Sequence, residues 1–471
     1  MTVLAESDVL PTHGQGATEE AARPVRVLFI NDTARNGGPG RSLHSILKFL
    51  DPAVVHRAVV LPRAGVIADL LARDRVAEEL HFEPNLVENP IEPWDRAMER
   101  SDFDAPLVRK GLRLAGNVVK ASMAIGRLAA LARRGRFDLL YCNGTNADFA
   151  GAALARITGI PAIWHVRYTS LPPAVRSLHR SLSASSGVRR IICVSKAATP
   201  LFAHCAAKVR IIHNALDVGA FDPQAVRGTL RAELGLGNDA VVFGSHGRVL
   251  RRKGYVEMIR AARIALDRLP SEVASRVHFV VVGDTPDDYR PDHVEECAAM
   301  AKALGLADRF RMLGFRADVR PLVADFDVAV VPSVYPDPLP RAVIESMALG
   351  KPVVAYAVGG VVEMIESDGP AATGQLVPFE PPEAGGPAER SGASSEGASA
   401  GAIDRLASAF VAYALDPDRR AREGEHARRR VLSDFDARAH ARRVQVEILE
   451  ACLDARAGRR GEGVGPFARK G

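Results

Sequence analysis

Cysteine is scarce and scattered in this 471-residue chain. Cys142, Cys193, Cys205, Cys297 and Cys452 are the only five, and no two form a C-x-x-C pair. That excludes a disulfide-stapled scaffold, argues against a structural zinc site and fits a reducing, cytoplasmic compartment. Aromatic residues make up only 6% of the chain, and no platform of stacking rings lies among the basic residues, so nucleic acid is not an expected partner. No uninterrupted apolar run reaches the ~18–20 residues that span a bilayer. The first twenty residues carry Glu6, Asp8, Glu19 and Glu20 and no lysine or arginine, so a secretory signal is not expected. Asp325-x-Asp327 opens a predicted buried strand, and no metal site is read there.

What is present is an ordinary globular composition, 47% hydrophobic and 25% charged, on a chain too long for one core. Two domains with tails are the natural expectation. A net charge of +6 favours anionic partners such as phosphates or an anionic membrane, unless it reflects arginine-rich composition alone.

Residues 1–23 are polar and aperiodic and are expected to be disordered. Val25–Asn31 reads as a buried strand, followed by the glycine loop Asn36–Gly40 and an amphipathic helix over about 42–50. Further strands are predicted at 57–61, 138–142, 161–166, 190–194 and 209–213, with helical patterns between most of them. The alternation restarts at 240–244, 278–283, 309–313, 327–332 and 352–355, with helices at about 254–268, 292–304, 318–324, 340–349 and 360–366. Strand and helix in alternation build a parallel sheet covered on both faces. The prediction is an α/β protein of two doubly wound, Rossmann-like domains facing across a cleft: 24–215, a linker 216–239, and 240–432. The second domain carries a low-complexity insertion at 380–401. A C-terminal helix, 433–457, is expected to pack back on the first domain, ahead of a basic tail, 458–471. Ligands of such sheets sit at the carboxyl ends of the strands, here in the interdomain cleft.

Five motifs fall at such ends. Gly37-Gly38-Pro39-Gly40 precedes a helix N-terminus and suits an anion or close backbone approach, or a simple turn. It fails the dinucleotide fingerprint because Leu43 holds the last glycine position. Gly247-Arg-Val-Leu-Arg-Arg-Lys-Gly254 places Arg248 and Lys253 beside a helix start, where two cations can hold a diphosphate; a solvated basic turn is the plain alternative. In Tyr335-Pro-Asp-Pro-Leu-Pro-Arg-Ala-Val-Ile-Glu345, Asp337 lies on a loop and Glu345 inside the following helix. The first can accept sugar hydroxyls and the second a ribose diol, unless they merely favour the helix dipole and face solvent. Val358-Gly-Gly-Val-Val-Glu363 is a fourth junction, with amides for phosphate or a tight turn. In Trp164-His-Val-Arg167, His165 is a proton-transfer candidate in the cleft or a buried structural histidine.

Taken in order, Gly247-Arg248, Lys253-Gly254, Val282-Gly283-Asp284, Leu313-Gly314, Asp337 to Glu345, Met347-Ala-x-Gly350, Pro352-Val-Val-Ala355, Gly359-Gly360-x-x-Glu363 and Thr373-Gly374 resemble the retaining GT-B glycosyltransferases of family 4 (glycosyl transferases group 1) over about 245–380. Gly37-Gly38, His165, Val194-Ser195 and Ile212-x-Asn214 resemble the family's acceptor domain. The resemblance implies a hexosyltransferase-like enzyme of polysaccharide or glycoconjugate synthesis. A nucleotide-diphosphate-sugar is the donor, with no cofactor and no essential metal, and the acceptor is a glycan, lipid-linked or small molecule. It implies catalytic roles for Arg248, Lys253, Asp337 and His165. It further implies donor contacts at Gly37, Gly38, Gly314, Phe315, Leu339, Arg341, Glu345, Gly359 and Gly360. Asp337 stands where the family usually has Glu, Pro340 where many members have Gly, and Asn214-Ala-Leu-Asp217 where Asn-Gly-Val-Asp is usual. The first two departures bear on the sugar rather than the reaction class. They also prompt an alternative, a nucleotide-sugar-binding protein without turnover.

On the acceptor side, 79–104 is irregular and is expected to shape the acceptor pocket. Leu107–Phe137 is helix-periodic with eight basic residues and no acid. It reads chiefly as a core-packing helix with a solvated basic face. The competing reading is peripheral contact with an anionic inner-membrane surface.

Overall fold

The computed structural model describes residues 23–34, 37–86, 107–286, 292–379 and 398–461. The N-terminal tail, most of the 380–401 insertion, most of the irregular stretch before 104 and the end of the basic tail lie outside the described residues.

Two parallel sheets carry the chain. The first comprises β1 Val25–Asn31, β2 Val55–Leu61, β3 Glu79–Phe82, β4 Leu139–Asn143, β5 Ala162–Val166, β6 Val188–Cys193 and β7 Val209–Ile211, in the order β3-β2-β1-β4-β5-β6-β7. The second comprises β8 Val241–His246, β9 Val277–Val282, β10 Phe310–Met312, β11 Val328–Val331, β12 Val353–Tyr356 and β13 Gly374–Val377, in the order β10-β9-β8-β11-β12-β13. Every pairing within them is parallel, and in each sheet the order reverses beside the first strand, opening a crevice at the carboxyl ends. This is the expected doubly wound architecture, repeated.

Strand β1 shows why these segments read as continuous apolar runs. Val27 and Phe29 face one core and Leu28 and Ile30 the other, so both faces of the pleat are buried. In the second sheet Phe243 stacks on Phe279 at 5.2 Å and meets Phe410 at 5.1 Å, fixing the helix Ala400–Leu415 over one face.

Several elements differ from expectation. Strands β3 and β13 were not anticipated, because Glu-Leu-His-Phe and Gly-Gln-Leu-Val lack the apolar run of a buried strand; both stand at sheet edges. The region expected as linker is part of the second domain from Leu230 onward: Leu230 is buried with Val242, Val280 and Phe326. Residues 359–363 form one 3-10 turn rather than a helix to 366. The final helix runs Ala437–Gly461, a few residues later than predicted, and Val444, Ile448, Ala451 and Cys452 enter the core around β1. Beside it, Leu216 N–H donates to Phe435 O at 3.0 Å and Ala437 N–H to Leu216 O at 3.0 Å, so outgoing and returning chains cross together.

The helix Leu107–Arg134 is the largest departure. Its C-terminal half is buried at Ala124, Leu128, Ala129 and Ala132, but from Gly111 to Lys120 most side chains are exposed. Lys120 and Arg127 interrupt its apolar run, yet from Gly111 to Arg134 it is long and apolar enough, by length and composition, to cross a bilayer.

Candidate active site

Between the two sheets lies a cleft of about 1980 Å³, lined from both domains. That exceeds the ~300–1,000 Å³ of a single small-ligand pocket and leaves room for two substrates.

One wall is built at the end of β8. The strand delivers His246, then Gly247 and Arg248, and the 3-10 turn Arg251–Lys253 leads to Gly254 at φ +75°. A Cβ on Gly254 would lie 1.8 Å from the Pro332 carbonyl oxygen, so only glycine lets this turn approach the end of β11. Val334 N–H donates to Arg252 O at 3.0 Å and ties the two loops. The result is a buried pair: Lys253 Nζ lies 2.7 Å from Asp337 Oδ2, which also accepts from the Tyr335 hydroxyl at 2.7 Å. Burial opposes both charges, but each outweighs it for the other. The ammonium is held above the ordinary lysine range and the carboxyl below the usual carboxylate range. Arg248 is exposed at the cleft wall and makes no hydrogen bond among the described residues.

Glu345 is buried in the helix Arg341–Ala348, with both oxygens engaged. Arg341 Nε donates to Oε1 at 3.0 Å, and His246 Nε2 lies 3.1 Å from Oε2. Burial pushes its pKa up, but Arg341 and then His246 bring it down to about 2. Arg341 also reaches Ser42 Oγ at 3.4 Å and the Ala215 carbonyl at 3.2 Å, so one guanidinium joins the two domains. Pro340 precedes the helix in extended conformation, φ −67° and ψ 123°, where a missing N–H is tolerated.

The opposite wall comes from the first sheet. Gly37 and Gly38 line the cleft at the start of the helix Gly38–Phe49. Arg41 crosses it, donating to the Ala317 carbonyl at 3.4 Å. Arg167, just past β5, also lines the cleft. Its Nε donates to Asn143 Oδ1 at 2.8 Å and its Nη1 to Asn214 Oδ1, while Asn214 Nδ2 donates to the Leu339 carbonyl at 3.3 Å. Burial pushes this guanidinium down to about 10.

The structure therefore brings Gly37, Gly38, Arg248, Lys253, Phe315, Asp337, Leu339, Arg341 and Glu345 to one cleft. Four predicted residues stand elsewhere. His165 is fully buried, shares a hydrogen bond with Tyr141 through Nδ1, and stacks near His440 with centroids 6.3 Å apart. Burial, then the neighbouring Arg167, hold it well below the ordinary histidine range, and Arg167 rather than His165 reaches the cleft wall. Gly359 and Gly360 do not line the cleft either. The Gly360 N–H is spent on the Asp337 carbonyl at 2.8 Å, and Cβ atoms at 359 and 360 would meet the Asp337 and Pro338 carbonyl oxygens at 2.4 and 1.8 Å. The pair packs against the Asp337 loop from behind, and the Gly360 amide is engaged there. Gly314 sits one residue behind the exposed Phe315, with its carbonyl accepting from Gly283 N–H at 2.9 Å. Tyr335, His246 and Arg167 were not singled out from sequence. Tyr335 and Arg167 stand at the ends of two of the chosen motifs, two residues from Asp337 and from His165, and His246 directly precedes Gly247.

Two family models match. The glycosyl transferases group 1 model covers residues 240–385 and the Glycosyltransferase Family 4 model covers 99–219, together more than half of the chain. The chain belongs to the family 4 glycosyltransferases. Among the relatives of this glycosyltransferase is an Escherichia coli UDP-Gal:alpha-D-GlcNAc-diphosphoundecaprenol alpha-1,3-galactosyltransferase. It is 22% identical over 68% of this chain and 82% of its own length. A D-inositol 3-phosphate glycosyltransferase of Kribbella flavida is 32% identical over 47% of this chain and 46% of its own, so the match spans about half of that relative. In fold, the glycosyltransferase is similar to HepE of Anabaena, solved with UDP and glucose. The TM-score is 0.68 at 22% identity, covering 90% of this chain and 99% of that one. The two facing parallel-sheet domains are the GT-B fold.

Proposed function

We propose that this glycosyltransferase moves a sugar from a uridine-diphosphate donor to a hydroxyl of its acceptor with retention of anomeric configuration. The observation that carries the reading is the Lys253–Asp337 pair sharing a cleft wall with Glu345. An ammonium has three donors, and Asp337 uses one; the others, with Arg248, stabilise the negative charge that grows on the leaving diphosphate. Asp337 accepts a hydroxyl of the donor sugar, and Glu345 accepts the ribose diol. The bond between C1 and the diphosphate oxygen breaks, the acceptor oxygen bonds to C1 on the same face, and its proton passes to the leaving phosphate. The cleft holds donor and acceptor together, so positioning supplies much of the acceleration. The UDP-galactose in the E. coli relative's name and the UDP bound by HepE support uridine as the base. The lipid-linked acceptor in that name and the inositol phosphate of the Kribbella relative support an acceptor that carries phosphate.

Thermal shift with UDP-, GDP- and ADP-sugars tests the donor. UDP-sugars at a hundredfold their dissociation constant add about 2.7 kcal/mol to wild type, and much less to Lys253→Ala and Glu345→Ala. An equal shift in the variants would remove both residues from the site. Binding without donor hydrolysis or transfer would favour the turnover-free reading.

A further inference from the structure

We propose that the outward face of the helix Leu107–Arg134 is a docking surface for an anionic lipid bilayer. Leu112, Val119 and Met123 are 70%, 59% and 46% exposed. At 3.6 residues per turn they fall on one narrow arc, directly opposite the buried Ala124, Leu128 and Ala132. Gly116 and Gly126, also exposed, lie on the same arc, which makes it an unusually flat apolar ridge. A helix packed on a soluble domain ordinarily turns polar residues outward; this one turns apolar residues both ways. Arg109 and Lys120, both exposed, flank the ridge on one side, together with Arg127, which reaches Glu83 at 3.3 Å.

The charge decides what covers this face. From Leu107 to Phe137 there are eight basic residues and no acid. A second copy would bring the same cations against themselves across a two-fold axis, whereas anionic headgroups complement them and acyl chains take the ridge. The helix does not span the bilayer, because its C-terminal half is locked against the helix Thr145–Thr158 and the β4–β5 core. On its inner side Leu114 and Val118 line the cleft. A docked helix therefore sets the cleft mouth at the headgroup plane, where an amphiphilic, lipid-linked acceptor can enter from the membrane. Only this purpose rests on the transferase reading; the docking itself does not.

The test is co-sedimentation of the full chain with vesicles of phosphatidylcholine alone and with 30% phosphatidylglycerol. The wild type is expected to sediment with the anionic vesicles only, and less so in high salt. Arg109→Gln/Lys120→Gln should weaken partitioning about fivefold per charge removed, ~1 kcal/mol each. Leu112→Gln/Val119→Gln/Met123→Gln should weaken it at least tenfold. Both variants keep the wild-type melting temperature and UDP-sugar shift, since none of these residues is in the core or the donor site. Wild type that ignores anionic vesicles, or a triple variant that binds them as wild type does, would overturn the proposal. So would a concentration-dependent dimer in light scattering that the triple variant abolishes. Vesicle binding without any donor shift would leave the docking surface standing and sink the transferase reading instead.

Discussion

Replacing Lys253 with Met keeps the aliphatic stem and removes the ammonium, leaving Asp337 in place with only the Tyr335 hydroxyl as partner. The two side chains are 17% and 11% exposed and 2.7 Å apart, so the carboxylate remains buried while its counter-charge is lost. Removing one partner of such a pair costs about 3–5 kcal/mol. The retained Tyr335 bond and the open cleft place this site at the lower end, about 3 kcal/mol. For a domain of this size that is a fall in melting temperature of about 6–12 °C. Asp337→Asn should cost a similar amount by stranding the ammonium. The double variant Lys253→Met/Asp337→Asn strands neither charge, so it should recover much of the loss, with a coupling energy of about 1–3 kcal/mol. Scanning calorimetry on the four proteins measures the cycle. All three variants should lose the UDP-sugar shift, the double variant included, because stability is recovered there but the ammonium proposed to hold the diphosphate is not. Additive losses would show that the pair is not coupled. Donor binding that survives in the rescued double variant would mean that Lys253 serves the fold alone.

Three further outcomes follow from the same geometry. Glu345 titrates near 4.5 when unfolded and about 2 when folded, so its contribution of on the order of 3 kcal/mol is present above pH 4.5 and lost as pH falls toward 2. Glu345→Gln should therefore be less stable than wild type at neutral pH, with the gap closing over that window in melting curves; a constant gap would contradict it. Gly360→Ala drives a methyl against the Pro338 carbonyl oxygen and displaces the Asp337 loop, so UDP-sugar affinity by calorimetry should fall at least tenfold, and an unchanged affinity would mean that the loop does not hold the donor. His165 is already neutral near physiological pH through burial, so His165→Asn should keep the wild-type shape of donor hydrolysis against pH between about 5 and 8, and a lost ionisation would return the imidazole to the chemistry.

The doubly wound sheets were legible because parallel strands buried on both faces, such as Val25–Asn31 and Val277–Val282, need continuous apolar runs, and no other element of seven residues or fewer does. Edge strands escape that requirement, which is why Glu79–Phe82 passed unseen. The charged cleft wall was legible for a different reason. Arg248, Lys253 and Asp337 are charged residues on the loops that follow strands β8 and β11, with Glu345 in the helix after the second loop, and all four line one cleft. Glycines and histidines are read less directly. Gly359-Gly360 looks the same in sequence whether its amides face phosphate or its missing side chains admit a neighbouring loop, and the close approach of the Asp337 and Pro338 carbonyls is visible only in the fold. In Trp164-His-Val-Arg167, strand alternation puts His165 and Arg167 on the same side, so periodicity cannot choose between them. The choice is made by where the sheet ends: His165 lies inside β5, under Tyr141 and His440, and Arg167 is the first same-side residue beyond it. The helix Leu107–Arg134 shows the limit most plainly. One apolar periodicity served two faces, and a sequence pattern reports that a face is apolar, not what lies against it.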